Sequence, residues 1–291
     1  MSWKAEAIAH GAATIVNAIA LGKGAAFGVD LWTKAEVRIT EEPHIITGEI
    51  ASDPAESTVL IERTVSRVFH HFSVEKCFGA KVKTLSNIPV AKGLKSSSVA
   101  ANAVALATVA ALGKTLDDLT LVKLGVDAAF DAKVTVTGAF DDACASYFGG
   151  AVVTDNLKKK LLKRVALTDD LVVLFHVPSR KAYTVDSDVK RLQTVKPLVE
   201  IAYKEALKEK FWAALSLNGI VYSSALGYDA LVALDALAAG ALAAGLCGKG
   251  PAVTAVVSND NIDLVRTALQ RHEGEILQSC LNHEKAKVLS Q

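Results

Sequence analysis

Several stretches of the chain carry the hydrophobic pattern of β-strands. Residues 25–40 (AAFGVDLWTKAEVRIT) are rich in β-branched and aromatic residues and partly alternate between apolar and polar positions. Alternation places successive side chains on opposite faces of a sheet, so this segment and residues 80–85 are predicted strands. Residues 171–175 (LVVLF) are continuously apolar, which is typical of a strand buried on both faces. A further strand is predicted over 252–258.

Other stretches have the spacing of helices. Between residues 57 and 71 apolar side chains recur every three or four positions, which builds one face of a helix. Residues 96–112 are mostly Ala, Val and Leu, begin with serines that suit a helix N-cap, and are followed by Gly113. The same reasoning predicts four more helices, over 120–131, 197–218, 230–244 and 262–273.

The order of these elements predicts an α+β fold in two parts. The pair Gly149-Gly150 and the lysine run at 158–160 separate the first group of elements from the strand at 171–175. We therefore predict one domain over 1–155 and another over 156–291. The lysine run is interpreted as a solvated turn.

Composition and charge narrow the class of partner. The 291 residues are 51% hydrophobic, and 32 Lys and Arg balance 31 Asp and Glu, so there is no strong field to attract nucleic acid or an anionic membrane. A small-molecule partner is expected.

The start of the chain has no secretory pattern, and the most apolar stretch, 230–245, is too short to span a bilayer. The four cysteines form no Cys-x-x-Cys pair. These features predict a cytoplasmic protein with reduced thiols.

The loop between the strand at 80–85 and the helix at 96–112 has the properties of a phosphate site. A helix N-terminus offers unpaired N–H groups and the positive end of the helix dipole. Gly93 lets the backbone approach an anion, and Lys92 or Lys95 would offset its charge. An ordinary serine-capped helix is the alternative explanation. The predicted phosphate-binding residues are Pro89, Val90, Ala91, Lys92, Gly93, Leu94, Lys95, Ser96, Ser97 and Ser98.

This loop resembles the Pro-x-x-x-Gly-Leu-x-Ser-Ser-Ala motif of the GHMP kinases. The match consists of Pro89, Gly93, Leu94, Ser96 and Ser97, and Ser98 replaces the usual Ala. A Walker A sequence is absent from the chain. The resemblance implies that ATP is the phosphoryl donor and that Mg²⁺ bridges its phosphates, with Ser97 or Ser98 as metal ligand. It also implies an N-terminal domain resembling ribosomal protein S5 domain 2 and a ferredoxin-like C-terminal domain.

Two further segments resemble motifs of the same superfamily. Residues 245–252 (GLCGKGPA) resemble its second Gly-rich loop, which implies contacts of Gly248 and Gly250 with the substrate. Residues 137–150 (TGAFDDACASYFGG) resemble its acidic substrate-site motif, to which Thr137 and Gly138 also belong. Comparison with mevalonate kinases favours Asp142 as the carboxylate that orients or deprotonates the acceptor hydroxyl, and homoserine-kinase spacing adds Asp141. Without the resemblance, both could simply cap a helix.

Residues 11–31 distinguish between branches of the superfamily, because they resemble the first motif of the archaeal shikimate kinases. The usual Pro-Gly start is replaced by His10-Gly11-Ala12, so a lysine that acts on the phosphoryl group from there is missing. Lys23 would supply such a charge, and Asn17 is a predicted substrate residue.

That resemblance implies phosphorylation of the shikimate 3-hydroxyl, a step of chorismate and aromatic amino acid biosynthesis. Arg180 or Arg191 would bind the shikimate carboxylate. A homoserine or mevalonate kinase, or an inert nucleotide-binding regulator, are the alternatives.

Overall fold

The computed structural model describes residues 3–89, 92–167, 170–179 and 189–291. The strands within these ranges are β1 (Lys4–Val16), β2 (Lys23–Thr40), β3 (Ile46–Ile50), β4 (Gly79–Ser86), β5 (Ala151–Asp155), β6 (Lys160–Val165), β7 (Leu171–Val177), β8 (Ala243–Leu246), β9 (Val253–Ser258), β10 (Glu275–Cys280) and β11 (Lys287–Ser290). The helices are α1 (Val59–Phe72), α2 (Ser96–Ala111), α3 (Asp118–Asp131), α4 (Phe140–Phe148), α5 (Val189–Thr194), α6 (Lys196–Leu207), α7 (Phe211–Leu226), α8 (Leu231–Ala238) and α9 (Ile262–Leu269).

The first sheet is organised around the long strand β2. Its order is β11-β1-β2-β4-β3, and β5 pairs with the first half of β2 and with β6. All of these pairs are antiparallel except that of β3 with β4. The helices α2 and α4 pack against β1 and β2. Because β1 is buried from Ala9 onwards and β2 from Gly24 to Val29, these parts of the two strands form the floor on which both helix N-termini are positioned.

The second sheet is a four-stranded antiparallel sheet of order β10-β7-β9-β8. Helix α7 packs against β8 and also contacts β1, which joins the two sheets through one apolar core. Two sheets with helices confirm the α+β prediction. The second sheet comes wholly from the chain after residue 155, and that part also contributes β6 and β11 to the first sheet. The boundary at residue 155 stays a prediction.

Most predicted elements are confirmed, and three helices need correction. The predicted helix 197–218 is two helices, because Glu209 adopts a left-handed φ of 66° and Lys210 N donates to Glu205 O (3.0 Å) to close α6. The predicted helix 230–244 ends at Ala238, and its last residues pair with β9 as strand β8. The predicted helix 262–273 ends at Leu269. Within the described residues, none of the helices has the length and apolar character to cross a membrane.

Candidate active site

A cleft of about 270 Å³ lies where the N-termini of α2 and α4 meet the loop after β8. It collects most of the described residues that the sequence motifs single out. Those that line it are Asn17, Gly93, Leu94, Lys95, Ser96, Ser97, Ser98, Thr137, Gly138, Asp141, Asp142, Gly248 and Gly250. The motifs lie far apart in the sequence, so their convergence identifies the cleft as the candidate active site.

The start of α2 is open towards the cleft. Lys95 occupies the N-cap position in a left-handed conformation (φ 65°, ψ 20°), and no described side chain caps the helix there. Ser98 N and Val99 N donate to Lys95 O (3.0 and 3.3 Å), which leaves the amides of Ser96 and Ser97 before the helical ladder begins. The three serines therefore form a helix N-terminus suited to an anion.

The loop before α2 packs directly against the Gly-rich loop 245–252. Gly93 has a φ of +86°, and a Cβ on it would lie 2.6 Å from Cys247 O and 2.9 Å from Gly250 O. Ala252 N donates to Lys92 O (3.2 Å) across the same contact. Only glycine fits this position, because it tolerates both the backbone conformation and the close approach.

We expect Gly93→Ala to weaken nucleotide binding and to destabilise the fold. Gly227→Ala is a matched control, because Gly227 has a similar φ of +74° and a Cβ added there would have no atom of the described residues within 4 Å. Both variants carry the backbone strain of a left-handed alanine, and Gly93→Ala adds an overpacking cost of about 1 to 3 kcal/mol. Chemical denaturation and nucleotide titration measure both effects. Equal destabilisation by the two variants would contradict this account of the loop contact.

The Gly-rich loop is also tied to the end of β1. Asn17 Nδ2 donates to Gly248 O (2.9 Å), and Gly248 N donates to Thr14 Oγ1 (3.0 Å). Asn17 N in turn donates to Asn218 Oδ1 (3.1 Å) on α7. These bonds fix Asn17 at the wall of the cleft and join three distant parts of the chain there.

The acidic pair Asp141 and Asp142 lies in the first turn of α4. Gly138 (φ +79°) and Ala139 (φ 48°) turn the chain sharply into the helix, so that both carboxyl groups face the cleft. Both residues are buried, with exposed fractions of 3% and 5%. Asn102 Nδ2 on α2 donates to Ala143 O (2.9 Å), which holds the two helices together.

Asp142 is paired with a lysine at the start of α2. Lys95 Nζ lies 2.9 Å from Asp142 Oδ2, and both side chains are largely buried. Burial lowers the pKa of the Lys95 ammonium, but the neighbouring negative charges, Asp142 first among them, outweigh burial and raise the pKa overall. Lys95 is therefore a charged lysine between the carboxylate and the start of α2.

Asp141 has different surroundings. Its Oδ1 accepts a hydrogen bond from Asn156 Nδ2 (2.8 Å), and a Cβ on Gly24 would collide with its carboxyl group. Burial, followed by the charge of Asp142, raises the pKa of Asp141 to about 7, although Lys95 and Asn156 act in the opposite direction. The two adjacent carboxyl groups thus have different partners: Asp142 pairs with Lys95, and Asp141 accepts from Asn156.

We expect the stability of the protein to depend on pH through Asp141. Its folded-state pKa lies above the ordinary value of 3.8, so its stabilising contribution is complete below that value and is lost as pH rises through about 7. Asp141→Asn does not titrate. Between pH 5 and pH 8, the free energy of unfolding of the wild type should fall relative to the variant by about 2 to 3 kcal/mol. Denaturation curves at both pH values test this, and a constant difference would contradict it.

Several predicted residues lie elsewhere. The cleft-lining residues among those described do not include Lys23, which lies near the ring of Tyr203 with Nζ 5.9 Å from its centroid, or Arg191, which is exposed on α5. Lys92 Nζ donates to Pro178 O (2.6 Å) instead of facing the cleft. Val90, Ala91 and Arg180 lie outside the described residues.

The cleft also contains charged residues that sequence reasoning missed. Lys249 lines it from the Gly-rich loop, and Lys133 and Glu56 also line it. Lys249 stands between the two glycines of a recognised motif, which was a usable signal. Asn156 carried no such signal, because only the fold brings it to Asp141.

Comparisons with known proteins show the family of the chain. The profile of the GHMP kinases N terminal domain matches residues 60–150. The shikimate kinase of Methanosarcina mazei is 46% identical over 98% of this chain and 97% of its own length. The chain belongs to the archaeal shikimate kinase family of the GHMP kinases. A second family member, the shikimate kinase of Methanosarcina acetivorans, is 46% identical with the same coverage.

The fold of this family member is shared by other GHMP kinases. The crystal structure of homoserine kinase from Cytophaga hutchinsonii superimposes with a TM-score of 0.73 over 99% of this chain and 98% of that chain, at 20% sequence identity. The relatives named shikimate kinase and the matching GHMP kinase profile show that the chain is an ATP-dependent kinase, and it has the two-domain GHMP fold. At this identity the homoserine kinase informs the fold alone.

Proposed function

We propose that this enzyme transfers the γ-phosphoryl group of ATP to the 3-hydroxyl of shikimate, giving shikimate 3-phosphate and ADP. The observation that carries the proposal is the pair of helix N-termini, α2 and α4, that open into one cleft. One presents serines and backbone amides to an anion, and the other presents Asp142 to an alcohol. Lys95 lies between them, 2.9 Å from Asp142.

The amides and hydroxyls at the start of α2 would hold the phosphates of ATP. Two features support this: the serines line the cleft, and Gly93 brings the loop backbone into close contact with the Gly-rich loop. The charge of Lys95 would offset that of the transferred group. Phosphoryl transfer depends mainly on positioning and on charge stabilisation, which this arrangement supplies.

Ser97 and Ser98 would hold Mg²⁺ together with phosphate oxygens. Both residues line the cleft at the helix start, and hydroxyl oxygens are suitable ligands for Mg²⁺. The described residues contain no group of three His, Cys, Asp or Glu side chains that could hold a metal. The phosphate oxygens of ATP would be the other ligands of a metal held here. When bound, Mg²⁺ neutralises charge on the phosphate oxygens.

Asp142 would align the acceptor hydroxyl and accept its proton. Its Oδ2 is engaged by Lys95, and its Oδ1 is buried with no hydrogen-bond partner among the described residues. A buried carboxylate oxygen without a partner is costly, so an incoming hydroxyl that donates to it would be stabilising. Asn17, Thr137, Gly138, Gly248 and Gly250 are the proposed walls around the alcohol. Arg180 or Arg191 stays the proposed partner of the shikimate carboxylate.

An ADP-release assay with a panel of alcohols tests the proposal. Shikimate, homoserine and mevalonate are each supplied with ATP, with and without Mg²⁺, and we expect turnover of shikimate alone, dependent on Mg²⁺. Turnover of homoserine or mevalonate without shikimate would replace the substrate but keep the phosphate site. Nucleotide binding without turnover of any alcohol would favour an inert regulator and defeat the proposal.

A further inference from the structure

Asp141 is anchored by residues that lie outside the cleft. Asn156 follows strand β5 and is buried, with an exposed fraction of 3%, and its Nδ2 donates to Asp141 Oδ1 (2.8 Å). Thr154 is fully buried on β5, and its Oγ1 donates to Asn156 Oδ1 (2.6 Å). The cleft-lining residues among those described include neither of them. They form a chain of two hydrogen bonds that ends on an active-site carboxyl.

The side-chain amide of Asn156 lies between Thr154 and Asp141. Thr154 Oγ1 donates to Asn156 Oδ1 and also lies 3.3 Å from Gly24 O, and the Nδ2 of the same amide donates to Asp141. Asn156 is itself held through its backbone, since Asn156 N donates to Gly22 O (2.9 Å). On the other side, the carboxyl group of Asp141 abuts Gly24, where no Cβ would fit. Asp141 is thus confined to one position.

That confinement matters because two adjacent carboxyl groups share the neighbourhood of one ammonium group. Lys95 is close enough to influence Asp141 as well as Asp142, although it makes its ion pair with Asp142. An Asp141 free to rotate would compete for Lys95. The competition would draw the cation away from Asp142 and place the negative charge of the pair at the wrong carboxyl group.

We propose that Thr154 and Asn156 are positioning residues that hold the Asp141 carboxyl away from Lys95, so that Lys95 pairs with Asp142 and the negative charge facing the acceptor hydroxyl lies on Asp142. This inference rests on the proposed function, because it assigns the acceptor hydroxyl to Asp142. It adds a requirement beyond the loop before α2 and the acidic motif at 137–150. The position of the Asp141 carboxyl group depends on the side-chain amide of Asn156 and the hydroxyl of Thr154.

Thr154→Val is the most direct test, because valine has nearly the shape of threonine and lacks the hydroxyl that bonds Asn156; that hydroxyl also lies 3.3 Å from Gly24 O. We expect kcat with shikimate to fall about tenfold while the KM for ATP changes less than about twofold, a split that reflects loss of acceptor alignment. Thr154→Ser keeps the hydroxyl and should restore most of the rate. Tyr203→Phe is the matched control, because Tyr203 OH donates to Thr154 O (3.2 Å) and touches the same strand without joining the chain. It should change kcat less than about twofold.

A double-variant cycle decides whether Thr154 acts through Asp141. If it does, adding Thr154→Val to Asp141→Asn should lower kcat by less than about twofold, since the carboxyl group to be positioned is already gone. Equal fold losses in the wild-type and Asp141→Asn backgrounds would overturn the inference and assign Thr154 a general structural role. The wild type, the two single variants and the double variant are also compared by chemical denaturation. Non-additive changes in the denaturation midpoint would support the hydrogen bonds from Thr154 through Asn156 to Asp141 independently of activity.

The failures of the two proposals are distinguishable. Absence of shikimate turnover by the wild-type enzyme defeats the proposed function, and it removes the catalytic part of this inference with it. Normal wild-type turnover combined with additive losses defeats the inference alone. A Thr154→Val enzyme with unchanged kcat would also defeat it.

Discussion

Asp142→Asn should lower kcat for phosphoryl transfer by about 10²- to 10⁴-fold, the range expected when a positioned general base is lost. The change preserves the shape of the side chain but removes the charge that faces the proposed acceptor hydroxyl. Affinity for ATP should change far less, because the proposed phosphate site consists of the serines and backbone amides at the start of α2. Steady-state kinetics with shikimate, together with nucleotide titration, separates the two effects.

The control for this variant is Asp131→Asn. Asp131 also pairs with a cation, through Arg67 Nε and Nη2 (2.5 and 2.6 Å), but it lies at the end of α3 and the cleft-lining set among the described residues does not include it. The Asp131→Asn variant measures the effect of losing an ion-paired aspartate outside the cleft. Its kcat should stay within about twofold of the wild type. If Asp142→Asn retained full activity, the assignment of Asp142 as base would fail. If Asp141→Asn alone abolished activity, the base would be Asp141 instead.

Local patterns predicted the fold of the loop and helix around 87–100 well, because the signals there are local. A helix that starts with serines after a glycine loop carries its anion-binding groups within a dozen residues, and the described part of 87–100 folds as that pattern indicates. The strand at 25–40 and the helix at 96–112 were predicted with nearly correct limits for the same reason. The strand is rich in β-branched and aromatic residues, and the helix is a long run of Ala, Val and Leu between a serine cluster and Gly113.

Features that depend on distant partners could not be predicted in this way. Strand β1 is rich in alanine and became recognisable only by its pairing with β2, and β11 is a four-residue strand completed by β1. Strand β8 has an apolar sequence that suits a helix equally well until β9 pairs with it. In the site, the choice between Lys92 and Lys95 also depended on tertiary structure. Both lie in one loop, but only the fold turns one towards Asp142 and the other towards Pro178.

The position of Lys95 also bears on residues 11–31, which resemble the first motif of the archaeal shikimate kinases. The segment 10–12 has no lysine, and Lys23, predicted to compensate, lies beside Tyr203. Lys95 brings a buried cation to the acidic pair from a different part of the chain. A Cβ on Gly248 would lie 2.8 Å from its Nζ, so the Gly-rich loop covers the ammonium group closely. Lys95, at the start of α2, can thus supply the positive charge that the segment 10–12 lacks.

Lys95→Met should lower kcat/KM by about 10²- to 10³-fold, the size of effect seen when one preorganised group that stabilises developing charge is removed. It should also destabilise the fold by about 3 to 5 kcal/mol, because it leaves the buried Asp142 without its cation. Lys92→Met is the matched comparison in the same loop. Lys92 donates to backbone carbonyl groups, so its loss should reduce kcat/KM less than about tenfold. A larger effect at Lys92 than at Lys95 would reverse the assignment of the two lysines.

The double variant Lys95→Met, Asp142→Asn separates the two roles of the ion pair. Removing the uncompensated carboxylate should recover much of the stability lost in Lys95→Met, since the cost arises from an unpaired buried charge and not from the missing methylene contacts. Activity should stay at the level of the poorer single variant, because both groups that act on the transferred phosphoryl group and the alcohol are then absent. Denaturation and kinetics on the same four proteins provide the comparison. Recovery of activity together with stability would mean that the pair serves the fold alone.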